Sequence, residues 1–257
     1  MKSFIKAVAL AVMLILGGQA FAQTHGAMFL GASIPMDDFG EFDGFDDFAL
    51  TTVNEEDAGA AVGFNAGIKW YFDMGIGGLG VMLSVDGFYN GPNSDLKAAY
   101  RDMESQSGGQ LLGESFTYNA TPRYINVPAM LGLNYTLRLN PQLAIYAEAG
   151  LGGNLRFITD MESLYKGQLL GVETSIKDTQ SYDKAFSFAY QAGFGIEVAK
   201  NLVIGCSIYD LGEAEVKGEQ VVKTTTLNDN VSNTATNYNT FGTIHPIMVV
   251  GRIGFAF

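Results

Sequence analysis

One cysteine, Cys206, stands in 257 residues. No internal disulfide can form, so an exported form of this chain must be stable without one. Histidine is almost as scarce: His25 and His245 are the whole supply, and no CxxC pair, His-rich cluster or glycine-rich phosphate loop accompanies them. Those absences leave no cofactor or catalytic metal to argue for. Beyond the first 22 residues, no stretch reaches the roughly 20 uninterrupted apolar residues of a membrane-spanning helix. Basic residues are outnumbered 15 to 27, a formal charge of −12. That sign argues against nucleic acid and against direct binding to anionic lipid surfaces.

What the chain has is apolar residues (47%), 32 glycines and a strongly patterned start and end. The opening "MKSFIKAVALAVMLILGGQAFA" sets Lys2 and Lys6 before an apolar run and closes on the small-x-small Ala20-Phe21-Ala22. Residues 1–22 read as a cleaved secretory signal, which leaves 23–257 as one domain and a mature charge of −14. The last residues, "HPIMVVGRIGFAF", place Ile247, Val249, Gly251, Ile253, Phe255 and Phe257 on one alternating face. Alternation of period two is a strand signal.

Eight such segments follow one another, at about 25–34, 60–74, 78–90, 123–137, 142–157, 184–198, 202–211 and 244–257. Their apolar faces are long and their opposite faces small and polar, with few charges. In "FSFAYQAGFGIEV", Phe186, Phe188, Tyr190, Phe194 and Ile196 oppose Ser187, Gln191, Gly193 and Glu197. Short turns ("MGIG", "RLNP", "AKN") alternate strictly with long connections at 35–59, 91–122, 158–183 and 212–243. Apolar-out, polar-in strands with alternating loop lengths are the pattern of a transmembrane barrel. Aromatics gather at both strand ends: Trp70, Phe72, Tyr135, Phe255 and Phe257 at the short turns, Phe64, Tyr89, Phe157, Phe186 and Phe188 at the long ones. Rings at the two headgroup levels are expected of such a barrel.

"YINVPAMLGLNY" (124–135), a short turn and "IYAEAGLGGNL", with the terminal Phe257, resemble the outer-membrane β-barrel domain family of small porin-like proteins. The resemblance implies an all-β, closed, antiparallel eight-stranded up-and-down barrel of the OmpA/OmpX type, in the outer membrane of a Gram-negative bacterium. It also implies contact with outer-membrane lipid and lipopolysaccharide, and delivery to the barrel assembly machinery through a C-terminal signal at Ile253, Phe255 and Phe257. A closed barrel satisfies every strand edge, which favours a monomer.

Eight strands enclose just enough room for their own side chains. Alternation turns Lys69, Asp86, Glu148, Arg156, Glu197 and Arg252 inward. Their positions along the strands predict a mid-lumen Lys69–Asp86–Glu148 cluster, a low Glu197–Arg252 pair and Arg156 near the mouth. Paired, these charges plug the barrel; the alternative is a charged constriction in a narrow cation-preferring channel.

Outside, "MDDFGEFDGFDDF" forms an acidic, aromatic patch: Asp37, Asp38, Phe39, Glu41, Phe42, Asp43, Phe45, Asp46, Asp47 and Phe48. The carboxylates suit loosely held Ca²⁺ or Mg²⁺, although no EF-hand spacing is present. The phenylalanines pack on one another, meet an unknown extracellular partner or fold back over the mouth toward Arg156. The Thr/Asn-rich "KTTTLNDNVSNTATNYNT" (223–240) is expected to be mobile, or to extend the last two strands as a projecting ribbon. "ESFTYNATP" offers an early start to the fourth strand. An enzyme is not expected, because His245 has no serine beside it in "HPI".

Overall fold

The computed structural model describes residues 24–41, 58–107, 115–169, 172–199, 201–226 and 231–257. The expected leader and most of the first long connection lie outside these residues. In chain order the strands are β1 (Thr24–Met36), β2 (Gly63–Ile76), β3 (Leu79–Asn90), β4 (Ser115–Ala120), β5 (Tyr124–Asn140), β6 (Leu143–Ile158), β7 (Met161–Leu169), β8 (Val172–Tyr182), β9 (Ala185–Val198), β10 (Leu202–Asp210), β11 (Ala214–Thr226), β12 (Val231–Ile244) and β13 (Ile247–Ala256). Among the described residues one α-helix, α1 (Ser94–Ser107), follows β3.

Eight strands close antiparallel in the order β1-β13-β10-β9-β6-β5-β3-β2, and β2 returns to β1. The closing seam is sealed at its end: the Gly26 N–H donates to the Phe257 carbonyl at 2.9 Å and the Phe257 N–H returns to the Gly26 carbonyl at 2.8 Å. Strand faces divide as the alternation requires. Leu30, Leu151, Phe188, Phe194 and Ile253 are more than half exposed on the outer wall, whereas Asn65, Lys69, Ser84, Asn126 and Asn154 are buried inside. Such an outside is suited to hydrocarbon, where open sheet edges are not tolerated.

The short turns follow local chemistry. Ile76 and Leu79 pair across a two-residue loop of Gly77 and Gly78, with φ of +54° and +88°. Positive φ at both positions is the type I′ requirement that glycine meets without strain. At the next turn Asn140 Oδ1 accepts the Gln142 N–H at 2.8 Å, an Asx turn.

The long connections are structured where they are described. β4, β7–β8 and β11–β12 come from three of them and join as a second sheet, ordered β12-β11-β8-β7-β4. Residues 223–226 and 231–240 therefore belong to the ribbon: β11 and β12 pair from Ala214↔Ile244 out to Thr226↔Val231. "ESFTYNATP" does not extend the barrel strand. β4 pairs with β7, and β5 begins afresh beyond Pro122. Thr and Asn leave no apolar stripe along these strands, so period-two reading has nothing to count. Thr is still a good strand former.

Candidate functional site in the barrel lumen and mouth

The lumen is filled in layers. At the mouth the first long connection folds inward from both of its ends. Met36 is the N-cap of a single 3-10 turn, Asp37–Phe39, which drops Phe39 to 1% exposure against Tyr124, ring centroids 5.4 Å apart. The Ala58 N–H donates to the Asp38 carbonyl and the Ala60 N–H to the Phe39 carbonyl, both at 2.9 Å. The Tyr124 hydroxyl donates to the Ala58 carbonyl. With Phe88, Leu211 and Ile244 these residues form an apolar lid. Burying Phe39 alone is worth about 1.5–3 kcal/mol.

Below the lid lie two ion pairs. Arg252 reaches Asp86 at 3.5 Å and donates to the Tyr209 hydroxyl at 2.7 Å; Tyr209 donates to the other Asp86 oxygen at 3.0 Å. Lys69 bonds Glu148, and the Tyr71 hydroxyl donates to the second Glu148 oxygen at 3.2 Å. Phe29 stands between the two cations, its ring centroid 5.8 Å from Lys69 Nζ and 5.4 Å from the Arg252 guanidinium carbon. The four charges cancel within one layer, which buried charge requires.

This layer differs from the arrangement that strand position suggests. Asp86 does not join Lys69 and Glu148 but holds Arg252. Glu197 is half-buried and lines the lower cavity with His25, Tyr71 and Tyr146; the Glu197–Arg252 pair is not formed. The reason is side-chain length and tilt. A long arginine from one strand reaches across a narrow lumen, so Cα height alone does not choose its partner. Tyr71 and Tyr209, which bind both pairs, carry the inward parity of their strands; counting only charged residues passes over them.

Arg156 lies at the mouth as its position predicts, yet no carboxylate among the described residues pairs with it. Its Nε donates to Asn126 Oδ1 at 3.2 Å, and its two terminal nitrogens donate to the Ile244 carbonyl at 2.7 Å and the Gly212 carbonyl at 2.9 Å. Gly212 precedes β11 and Ile244 ends β12, so the guanidinium clasps both feet of the ribbon to the barrel.

At the short-turn end the lumen opens into a vestibule of about 310 Å³, lined by His25, Tyr71, Asp73, Asn134, Thr136 and Arg138 among others. Tyr146 lines the smaller cavity that shares His25, Tyr71 and Thr136 with it. A Cβ added to Gly195 or Gly205 would lie 2.5 Å or 2.3 Å from the Tyr146 hydroxyl, so these two glycines make the room this ring needs.

Outside, α1 covers one side of the second sheet. Leu96 and Tyr100 are buried with Met161, and the Tyr100 ring lies 4.3 Å from Tyr118. Burial pushes the phenols of Tyr100 and Tyr182 up. Of the acidic, aromatic patch, Asp37 and Asp38 are exposed and Phe39 is the lid residue; Glu41 is exposed, and its carbonyl accepts from the Gly59 N–H at 2.8 Å. Phe42, Asp43, Phe45, Asp46, Asp47 and Phe48 lie outside the described residues. Among the described residues no cluster of three metal-ligating side chains occurs. His245 bonds Asp210 at 2.7 Å and His25 stacks on Tyr71, ring centroids 5.0 Å apart. Ile253, Phe255 and Phe257 all face outward and are exposed.

No curated protein matches the chain. Solved structures align along most of it. Ail, the attachment invasion locus protein of Yersinia pestis, is 14% identical over 91% of this chain and 99% of its own, with a TM-score of 0.38. Neisserial surface protein A is 11% identical over 91% and 94%, TM-score 0.37. OprG from Pseudomonas aeruginosa is 10% identical over 91% and 95%, TM-score 0.40. The model of the outer membrane protein beta-barrel domain matches residues 8–239. With its closed antiparallel eight-stranded wall, apolar outside and polar filling, the chain belongs to that family of Gram-negative outer-membrane barrels.

Proposed function

We propose that this outer-membrane barrel is a non-conducting, non-enzymatic platform that holds a structured sheet at the cell surface for interaction, adhesion or envelope integrity. The layered lumen supports the reading best. An apolar lid anchored by Phe39 lies over a neutral layer of two ion pairs, leaving the vestibule at the short-turn end as a blind cavity. The clasp of Arg156 on both feet of the ribbon supports the second half, since a surface platform needs its projecting sheet fixed to the barrel. Lipopolysaccharide surrounds the exposed wall, and the outward Ile253, Phe255 and Phe257 are the residues offered to the assembly machinery.

A narrow cation-preferring channel is the competing reading, favoured by the vestibule and the acidic exterior. Recordings from refolded residues 23–257 in a planar bilayer, at low and high salt, separate the two. Silence from a sample shown to be folded is expected; discrete cation-selective steps would make the charged layer a conduction path.

A further inference from the structure

Closure removes every edge from the barrel wall, but the second sheet is open and ends on β4 and β12. The two edges are built differently. β4 has six residues, is broken by a bulge between Tyr118 and Ala120, and lies beside α1. A short, bulged, covered strand is how natural sheets guard an edge against pairing. β12 has none of these devices over most of its length. Its sequence, "VSNTATNYNTFGTI", contains no charged residue and no proline. Its only irregularity lies at the foot, where the register with β11 shifts between Val216 and Lys217. From Lys217↔Thr240 to Thr226↔Val231 ten pairs follow without interruption. Residues 231–238 are all exposed, and among the described residues no strand pairs with the outer side of β12. About 33 Å of unguarded backbone donors and acceptors therefore face outward.

Charge decides the occupant. The exterior is acidic overall, so most approaches between two copies are repulsive. The two strands of the hairpin are the exception: on β11 Glu215 and Glu219 are balanced by Lys217 and Lys223, β12 itself is neutral, and the one acid between them, Asp229, lies in the connection. A basic partner would be drawn to the acidic connections and not to this strand. A second β12 meets it without opposing like charges, and sets Thr and Asn against Thr and Asn, pairs that hydrogen-bond across a sheet.

We propose that β12 is a homotypic docking edge: two copies pair their β12 strands antiparallel and merge their extracellular sheets into one continuous sheet. This deepens the platform reading and rests on it only for the outward placement of the sheet. It also revises the monomer that closure of the barrel alone suggests. The contact is small, at the low end of specific interfaces, so association is concentration-dependent and reversible.

The test is sedimentation of the refolded full-length mature chain in detergent micelles across a wide concentration range. Three samples are compared: the wild type, Asn233→Lys with Asn237→Lys, and Asn233→Glu with Asn237→Glu. Asn233 and Asn237 are exposed and sit opposite the uncharged Thr224 and Gln220, so neither change disturbs the hairpin by charge. Folding of each sample is checked by resistance to unfolding in dodecyl sulfate. The wild type is expected to pass from monomer to dimer as concentration rises, each variant to stay monomeric, and an equal mixture of the two to dimerise again. A wild type that is monomeric throughout, variants that still dimerise, or a mixture that fails to dimerise would each overturn the proposal. A monomer that is also silent in the bilayer removes the homotypic edge and leaves the plug standing; a dimer that conducts removes the plug and leaves the edge.

Discussion

Lys69 and Glu148 are both almost fully buried, and Tyr71 completes the coordination of the carboxylate. Removing one member of such a pair leaves an uncompensated charge in the lumen, at a cost of about 3–5 kcal/mol. Lys69→Met is therefore expected to lower stability by that amount in urea unfolding from micelles. Glu148→Gln keeps an acceptor for Tyr71 but strands Lys69, and should cost nearly as much. The double variant has no stranded charge and should be more stable than either single one. Additive losses would mean that the two groups act independently. Asp86 and Arg252 are held the same way, with Tyr209 in place of Tyr71. The alternation makes all four charges inward from the sequence, but only the folded lumen shows which acid each base meets, and that a tyrosine accompanies each pair.

At the scale of elements, the ribbon and the barrel are joined by few groups, of which Arg156 is the most connected. Replacing it with glutamine leaves the buried Ile244 carbonyl and the half-buried Gly212 carbonyl short of their charged donors, and the loss at a buried acceptor costs about 1–3 kcal/mol. Hydrogen exchange should then quicken at amides of β11 and β12 while those of the barrel strands stay protected. Equal protection in the variant would show that packing, not the guanidinium, holds the ribbon. At the far side of the same sheet, Glu162 accepts from Lys177 at 2.6 Å and from the Asn119 amide at 2.9 Å. These bonds hold the Glu162 carboxyl below its usual range. A depressed folded value contributes stability that is present above the unfolded value and lost as pH falls through the folded one. Protection factors at β4 and β7, taken relative to intrinsic exchange at each pH, should fall as pH is lowered below the ordinary carboxylate range, and Glu162→Gln should remove that dependence. A profile unchanged by the substitution would place the acid sensitivity elsewhere. The ribbon itself was half legible: its threonines favour strand, but without an apolar face nothing in the pattern separates a strand from a mobile loop.

Across the whole molecule the lumen is asymmetric, lidded at the mouth and open at the short turns. The lid and the ion-pair layer are separate layers of side chains, so under the proposed plug Phe39→Ala alone is expected to leave the bilayer recording silent, since Asp86, Arg252, Lys69 and Glu148 still fill the layer below. Conduction in that variant would make Phe39 the gate of a pore. The described second sheet projects on the mouth side, where among the described residues no strand pairs with the outer side of β12.

The sequence alone determined the barrel, because hydrocarbon outside and a polar lumen impose a period of two that is written into eight strands and three short turns. It also determined which charges face inward, and that most acid lies in the long connections. The partners of those charges, the lid at Phe39 and the second sheet were decided by tertiary structure alone. Across a lumen only a few side chains wide, reach and tilt choose the contact. A polar sheet in water is held by strand partners distant in the chain, a relation that local periodicity does not encode.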